Sequence, residues 1–175
     1  MMANLNIPET INNFNVYKNG TQLIGLSGEI TLPDFEPVSD TVSGAGILGE
    51  FETSIIGMFS SMKMDIPFRI LNNDIFTLMN PTEVLDLTFR ASAQYVSNGT
   101  GALSYKGMRV VVRGKQKTFK QGSLKQGAQM NASVSIEVLY ILIEIDGTTK
   151  IELDKLNSVY KVNGVDLLAQ IKKQC

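Results

Sequence analysis

The chain has 175 residues, 43% apolar and 19% charged, with a formal charge of −1 and neither His nor Trp. That length suits one domain, residues 1–175, with a real core. The absence of His excludes Ser/His/Asp and Cys/His catalysis, His-ligated metal and the commonest general base near neutral pH, and a lone cysteine, Cys175, excludes an internal disulfide and a Cys-ligated zinc.

The opening segment MMANLNIPETINNF has neither the basic nor the apolar part of a secretory signal, and no window reaches the ~18 to 20 uninterrupted apolar residues of a bilayer span. The expectation is a chain with no membrane anchor that folds in a reducing cytoplasm. Strand signals then dominate. Phe14-Asn15-Val16-Tyr17, the turn Lys18-Asn19-Gly20 and Thr21 to Leu26 predict a hairpin, because Asn-Gly supplies the positive φ angles of a tight turn. Glu29-Ile30-Thr31-Leu32 predicts a short strand that stops at Pro33.

Residues 36–49 contain glycines at 44, 46 and 49 and few large apolar side chains. They predict a long loop, which is either an arm that becomes ordered against a neighbour or a plain flexible connection. Met62 to Ile70 alternates apolar and polar, with Pro67 on the polar phase, and so predicts an edge or bulged strand. Asn72-Asn73-Asp74 predicts a cap before a short helix over Ile75 to Met79, which Pro81 closes.

Val84 to Val96 predicts a strand with Leu85, Leu87, Phe89, Ala91, Ala93 and Tyr95 on one face, followed by a turn over 97–101. Met108 to Lys120 and Ala128 to Ile145 predict two long strands joined by the loop Gln121 to Gly127. Asp146-Gly147 predicts a hairpin into Lys150 to Asp154. Val159 to Val162 predicts a last strand, and Val165 to Lys173 an amphipathic C-terminal helix packed through Val165, Leu168, Ala169 and Ile171. The fold class expected is mainly β: an antiparallel β-sandwich or barrel-like subunit with a short middle helix and a C-terminal helix.

Charge is unevenly distributed. Residues 1–86 carry 11 acids and 3 bases, residues 87–136 carry 8 bases and no acid, and residues 137–175 carry 6 acids and 5 bases. Three readings fit: a basic surface for nucleic acid, acidic and basic surfaces that attract copies of the chain head to tail, or neutralisation within one fold.

No arrangement of chemistry-bearing residues stands out. Glu50/Glu52 and Glu152/Asp154 are same-face carboxylate pairs of a kind expected by chance among 17 acids, and read as solvated faces. Gly44-Ala45-Gly46-Ile47-Leu48-Gly49 spells a dinucleotide-binding string without the strand-turn-helix setting that gives it meaning. Asn98-Gly99-Thr100 and Asn131-Ala132-Ser133 match the glycosylation acceptor pattern, but with no secretory signal they read as a turn and a strand. No catalytic residue, metal ligand or cofactor site is expected, and the protein is expected not to be an enzyme.

The order of features resembles the major tail tube proteins of contractile-tailed phages and R-type pyocins. The resemblance is carried by residues 7–20 (IPETINNFNVYKNG), by 26–33 (LSGEITLP), by the Gly44/Gly46 region and, most specifically, by 160–169 (YKVNGVDLLA), and it spans nearly the whole chain. It implies a subunit that forms hexameric rings stacked into a tube around a central channel, inside a contractile sheath. It also implies partners: further copies of the chain, the sheath protein, baseplate and tail terminator proteins, and a tape-measure protein or DNA in the lumen. The place would be the bacterial cytoplasm during assembly, then a virion tail or a released bacteriocin-like particle. The tube of another contractile injection system, such as type VI secretion, is the alternative; a nucleic-acid-binding barrel comes after it.

On this resemblance the inter-ring loop is expected at Glu36, Pro37, Val38, Ser39, Asp40, Thr41, Val42, Ser43, Gly44, Ala45, Gly46, Ile47, Leu48 and Gly49. Asp86, Thr88, Arg90, Ser133, Ser135 and Glu137 are expected on a lumen or ring-stacking face, against the plainer expectation of a solvated face. Cys175 and the basic 109–125 segment have no counterpart in the family pattern.

Overall fold

The alternation in the sequence becomes a succession of strands in the computed structural model, which describes residues 5–175. In chain order these are β1 (Asn6–Lys18), β2 (Thr21–Gln22), β3 (Pro37–Ser43), β4 (Glu50–Phe59), β5 (Lys63–Phe68), helix α1 (Asn73–Thr77), β6 (Leu85–Ser97), β7 (Leu103–Lys120), β8 (Ala132–Ile145), β9 (Thr148–Asp154), β10 (Val159–Val162), β11 (Val165–Asp166) and helix α2 (Ala169–Lys172). The main sheet runs β11-β10-β9-β8-β7-β6-β1-β2, with β5 also beside β8, and β3 and β4 form a separate ladder. Each of these pairings is antiparallel, in keeping with the mainly β expectation.

β8 organises the sheet by changing partner along its length. Ala132 to Glu137 lies against Phe68 to Lys63 of β5, and Tyr140 to Ile145 lies against Asp154 to Thr148 of β9. On its other side β7 follows it with register shifts at Arg113/Gly114 and Gln116/Thr118. Extra residues of this kind bend a strand and increase its twist, so one sheet curves around a core. Gly114 sits at the first shift because a Cβ there would fall 2.2 Å from the carbonyl oxygen of Glu137.

The core lies on one face of the curve. Leu85, Leu87 and Phe89 of β6, Val110 and Val112 of β7, Ala132, Val134, Ile136 and Val138 of β8, and Met64, Ile66 and Phe68 of β5 are all buried. Burying each of these Val, Leu, Ile, Met and Phe side chains contributes roughly 1.5–3 kcal/mol relative to exposure. Ile75 and Leu78 from α1, with Val16 and Leu23, complete the cluster, and Leu26, Ile30, Leu32 and Phe35 pack partly buried against it. The predicted cap forms: the Asn72 side chain accepts from the Ile75 N–H at 3.2 Å.

Several expectations are corrected. Glu29 to Leu32 is not a strand; this stretch lines a cavity of about 660 Å³ together with Phe89, Met108 and Val110, so its side chains cover the sheet face instead of extending it. The long loop over 36–49 is instead mostly hairpin, because Ser39 to Ser43 pair in register with Ser54 to Glu50, leaving 44–49 as the turn. Ala128 to Asn131 lies outside β8, where Met130 N–H donates to the Arg69 carbonyl and Asn131 adopts φ 56°. The C-terminal helix shrinks to Ala169–Lys172, since the Asn163-Gly164 turn folds Val165-Asp166 back onto Val162-Lys161 as β11. Val165 is accordingly exposed, and Leu168 is the buried contact of that segment.

Candidate assembly interface

Asp86, Thr88 and Arg90 alternate along β6 with buried Leu85, Leu87 and Phe89, and Ser133, Ser135 and Glu137 alternate along β8 with buried Ala132, Val134 and Ile136. All six therefore share the face turned away from the core. A polar row crosses that face strand by strand. Arg113 Nε on β7 donates to Asp86 at 2.8 Å, and its guanidinium lies 4.8 Å from the ring centre of Tyr140 on β8. The Tyr140 hydroxyl donates to Glu152 on β9 at 3.3 Å, and Lys161 on β10 is 3.4 Å from the same carboxylate. Arg109 pairs with Glu144 at 2.6 Å.

Glu137 is the best-connected of the six. Burial works against its charge, but the Ser61 hydroxyl at 2.8 Å from both carboxylate oxygens and the Lys117 ammonium at 3.2 Å hold its carboxyl below the usual range. The Ser135 hydroxyl donates to Asp65 on β5. Arg90 is exposed and lies over the Tyr17 ring at 5.7 Å. Neutralisation within the fold thus accounts for Arg109, Arg113 and Lys117 of the basic block. Lys115, Lys120 and Lys125 have no ion pair among the described residues.

Two features of the chain lack partners among the described residues. The first is the outer edge of β1: β2 covers Tyr17 and Lys18, and no described strand lies beside Asn6 to Asn15 on that side. The second is the β3–β4 hairpin. Leu48 is fully exposed, and Phe51, Ile56 and Met58 are each more than half exposed at 53%, 53% and 52%. Glu36, Asp40, Glu50 and Glu52 are its charged residues, with no Lys or Arg between 36 and 59.

The hairpin's root is by contrast well anchored. Phe59 meets Phe35 edge-on at 6.0 Å and Tyr160 at 5.1 Å. Ser60 N–H donates to the Glu36 carbonyl at 2.9 Å, and Lys155 Nζ donates to the Ser60 carbonyl at 2.8 Å. Burial lowers the Lys155 pKa against the opposing pull of Glu137. The result is a projection that is fixed at its base and uncovered along its length.

Of the carboxylate pairs, Glu152 serves Tyr140 and Lys161, while Asp154 accepts from the Leu156 and Asn157 backbone in the β9–β10 turn. The glycine string at 44–49 is the tip of the hairpin. No group of three or more potential metal ligands occurs among the described residues.

The phage tail tube protein FII family matches residues 8–175. The chain belongs to that family. It is also 28% identical over 168 residues to the tail tube protein of Escherichia phage P2, covering 95% of this chain and 96% of that one. The major tail tube protein of Serratia phage KSP20 is 25% identical over 161 residues, covering 92% and 91% respectively. A phage tail tube family that matches nearly end to end gives the chain a structural role, in keeping with a sheet edge and a hairpin left uncovered among the described residues.

Sequence reasoning placed the six residues on the polar faces of two strands but missed the β3–β4 hairpin. β4 left a usable signal, since Glu50, Glu52 and Ser54 alternate with Phe51, Thr53 and Ile55. The root contacts left none: Lys155 and Ser60 are 95 positions apart.

Proposed function

We propose that the chain is the inner tube subunit of a contractile phage tail or phage-tail-like bacteriocin, polymerising as stacked hexameric rings around a central channel. The observation that carries this is the pair of unsatisfied surfaces, the open edge of β1 and the uncovered β3–β4 hairpin. An exposed edge strand is a template for pairing with another chain, and a closed ring of copies removes it. An exposed run of Leu48, Phe51, Ile56 and Met58 is likewise a contact surface rather than a solvated one.

In this reading each subunit is a single tail-tube domain, and residues 36–49 with β4 form the arm between rings. The polar row containing Asp86, Thr88, Arg90, Ser133, Ser135 and Glu137 faces the lumen or a stacking ring. The subunit works by holding shape and not by catalysis. Its further partners are the sheath, the baseplate and terminator proteins, and a tape-measure protein or DNA in the channel, met during assembly in the bacterial cytoplasm. The phage origin of both relatives favours a phage tail over a type VI secretion tube.

Replacing residues 39–54 by an Asn-Gly turn tests the arm. The root residues Phe35, Phe59 and Tyr160 remain and the core loses no member, so the subunit should fold while negative-stain micrographs lose the hollow rods formed by the full chain. Normal rods from the shortened chain remove the arm assignment. A full chain that stays monomeric at high concentration removes the tube reading altogether.

A further inference from the structure

Resting on the arm's role as the contact between rings, we infer that its receptor on the next copy is the basic β7–β8 turn, with Lys120 and Lys125 facing the arm's carboxylates. The arm carries Glu36, Asp40, Glu50 and Glu52 and no base. Residues 115–131 carry four lysines and no acid. Lys117 is held by Glu137 at 3.2 Å and Lys115 lies opposite Glu137 within the β7–β8 ladder, which leaves Lys120 and Lys125 at the turn, exposed and free of ion pairs among the described residues.

The two charged features lie at opposite ends of the same strand. The arm's root runs through Ser60, Ser61 and Met62 into Lys63, where β5 pairs with Glu137; the basic turn enters β8 at Ala132, opposite Phe68 at the other end of β5. That separation is about 20 Å for six residues, and the seven residues of β3 reach about as far. No ion pair joins the arm's carboxylates to the turn's lysines among the described residues, whereas copies stacked head to tail would bring an acidic projection onto a basic surface, the heterologous geometry that extends indefinitely.

The turn is also a shaped surface. Ser123 N–H donates to the Met130 carbonyl at 2.9 Å, and Met130 N–H donates to the Arg69 carbonyl at 2.7 Å. A Cβ at Gly122 would fall 2.0 Å from that Met130 oxygen, so the close approach needs glycine. Leu124 stands 88% exposed among the lysines, an apolar contact for the exposed Phe51 and Ile55 of the arm.

A charge-swap cycle tests the pairing. Glu50→Lys/Glu52→Lys in the arm and Lys120→Glu/Lys125→Glu in the turn all change exposed residues, and circular dichroism of the monomer checks that each variant folds. Each double variant alone should lower the pelletable rod mass at least about tenfold, because like charges brought together cost several kcal/mol; the quadruple variant should recover to within about twofold of the original. Disruption by the arm variant without recovery in the quadruple variant overturns the turn as receptor and leaves the arm's role standing. Rods that survive both the reversal and the replacement of residues 39–54 overturn the arm's role itself. Normal rods from the turn variant with weaker retention of double-stranded DNA assign the lysines to nucleic acid and overturn the proposal.

Discussion

Leu168 rests on the bare backbone of Gly57: a Cβ built on that glycine falls 2.5 Å from Leu168 Cδ2. Gly57 also has φ +82°, a conformation that costs a residue with a Cβ roughly 1–2 kcal/mol. The contact ties the C-terminal segment to the base of the arm, one position before Met58 and two before Phe59, where the aromatic cluster begins.

Gly57→Ala should therefore loosen the arm's root. The melting temperature should fall by about 2–8 °C, and amide exchange at Met58 to Ser60 should quicken. Gly107→Ala is the matched control, since a Cβ there meets nothing within 4 Å and φ is not positive. Equal behaviour of the two variants argues against a docked Leu168.

The acid limb of stability should respond to Ser61. Glu137 titrates below its ordinary value in the folded chain, so its contribution is present above the ordinary carboxylate range and is lost as pH falls through the lowered value. Ser61→Ala removes the hydroxyl at 2.8 Å from both oxygens, moving the titration back up. Urea midpoints measured from pH 7 down to about 2 should show the variant losing stability at a higher pH, with a deficit at neutral pH under about 1 kcal/mol because the site is partly open to solvent. Superimposable acid limbs contradict the assignment.

Core and polar face should differ sharply in what a substitution costs. Phe68→Ala opens a cavity beneath a side chain with no exposed surface and should cost about 3–5 kcal/mol. Asp86→Asn weakens an ion pair whose side chains are 38% and 50% exposed, and should cost under about 1 kcal/mol. Urea denaturation of the two variants checks the order, and a polar-face cost equal to the core cost makes that face part of the subunit's stability instead of a surface kept for contacts.

Strand alternation carried most of the fold. Met64, Ile66 and Phe68, or Val134, Ile136 and Val138, announce one buried face because side chains on a strand point alternately to its two sides. Asn19-Gly20 and Asp146-Gly147 announced tight turns and each adopts positive φ at both positions, as does Asn163-Gly164, where the sequence predicts only the approach to a helix. These are local rules, and each needs only a few consecutive residues.

What alternation does not encode is which strands meet. Nothing in the residues alone says that β8 passes from β5 to β9 at Val138-Leu139, or that Lys155 reaches Ser60. The arm shows the limit most plainly: its glycines suggested a loop, yet Ser39 to Ser43 and Glu50 to Ser54 form a ladder. The chain's composition put catalysis by histidine, an internal disulfide and zinc held by His or Cys out of reach, and its alternation announced most of the main sheet's strands and their buried faces. Tertiary structure alone decided which edge stays open and which hairpin stays bare, because a missing partner is a property of the whole arrangement, visible only once every other pairing has been made.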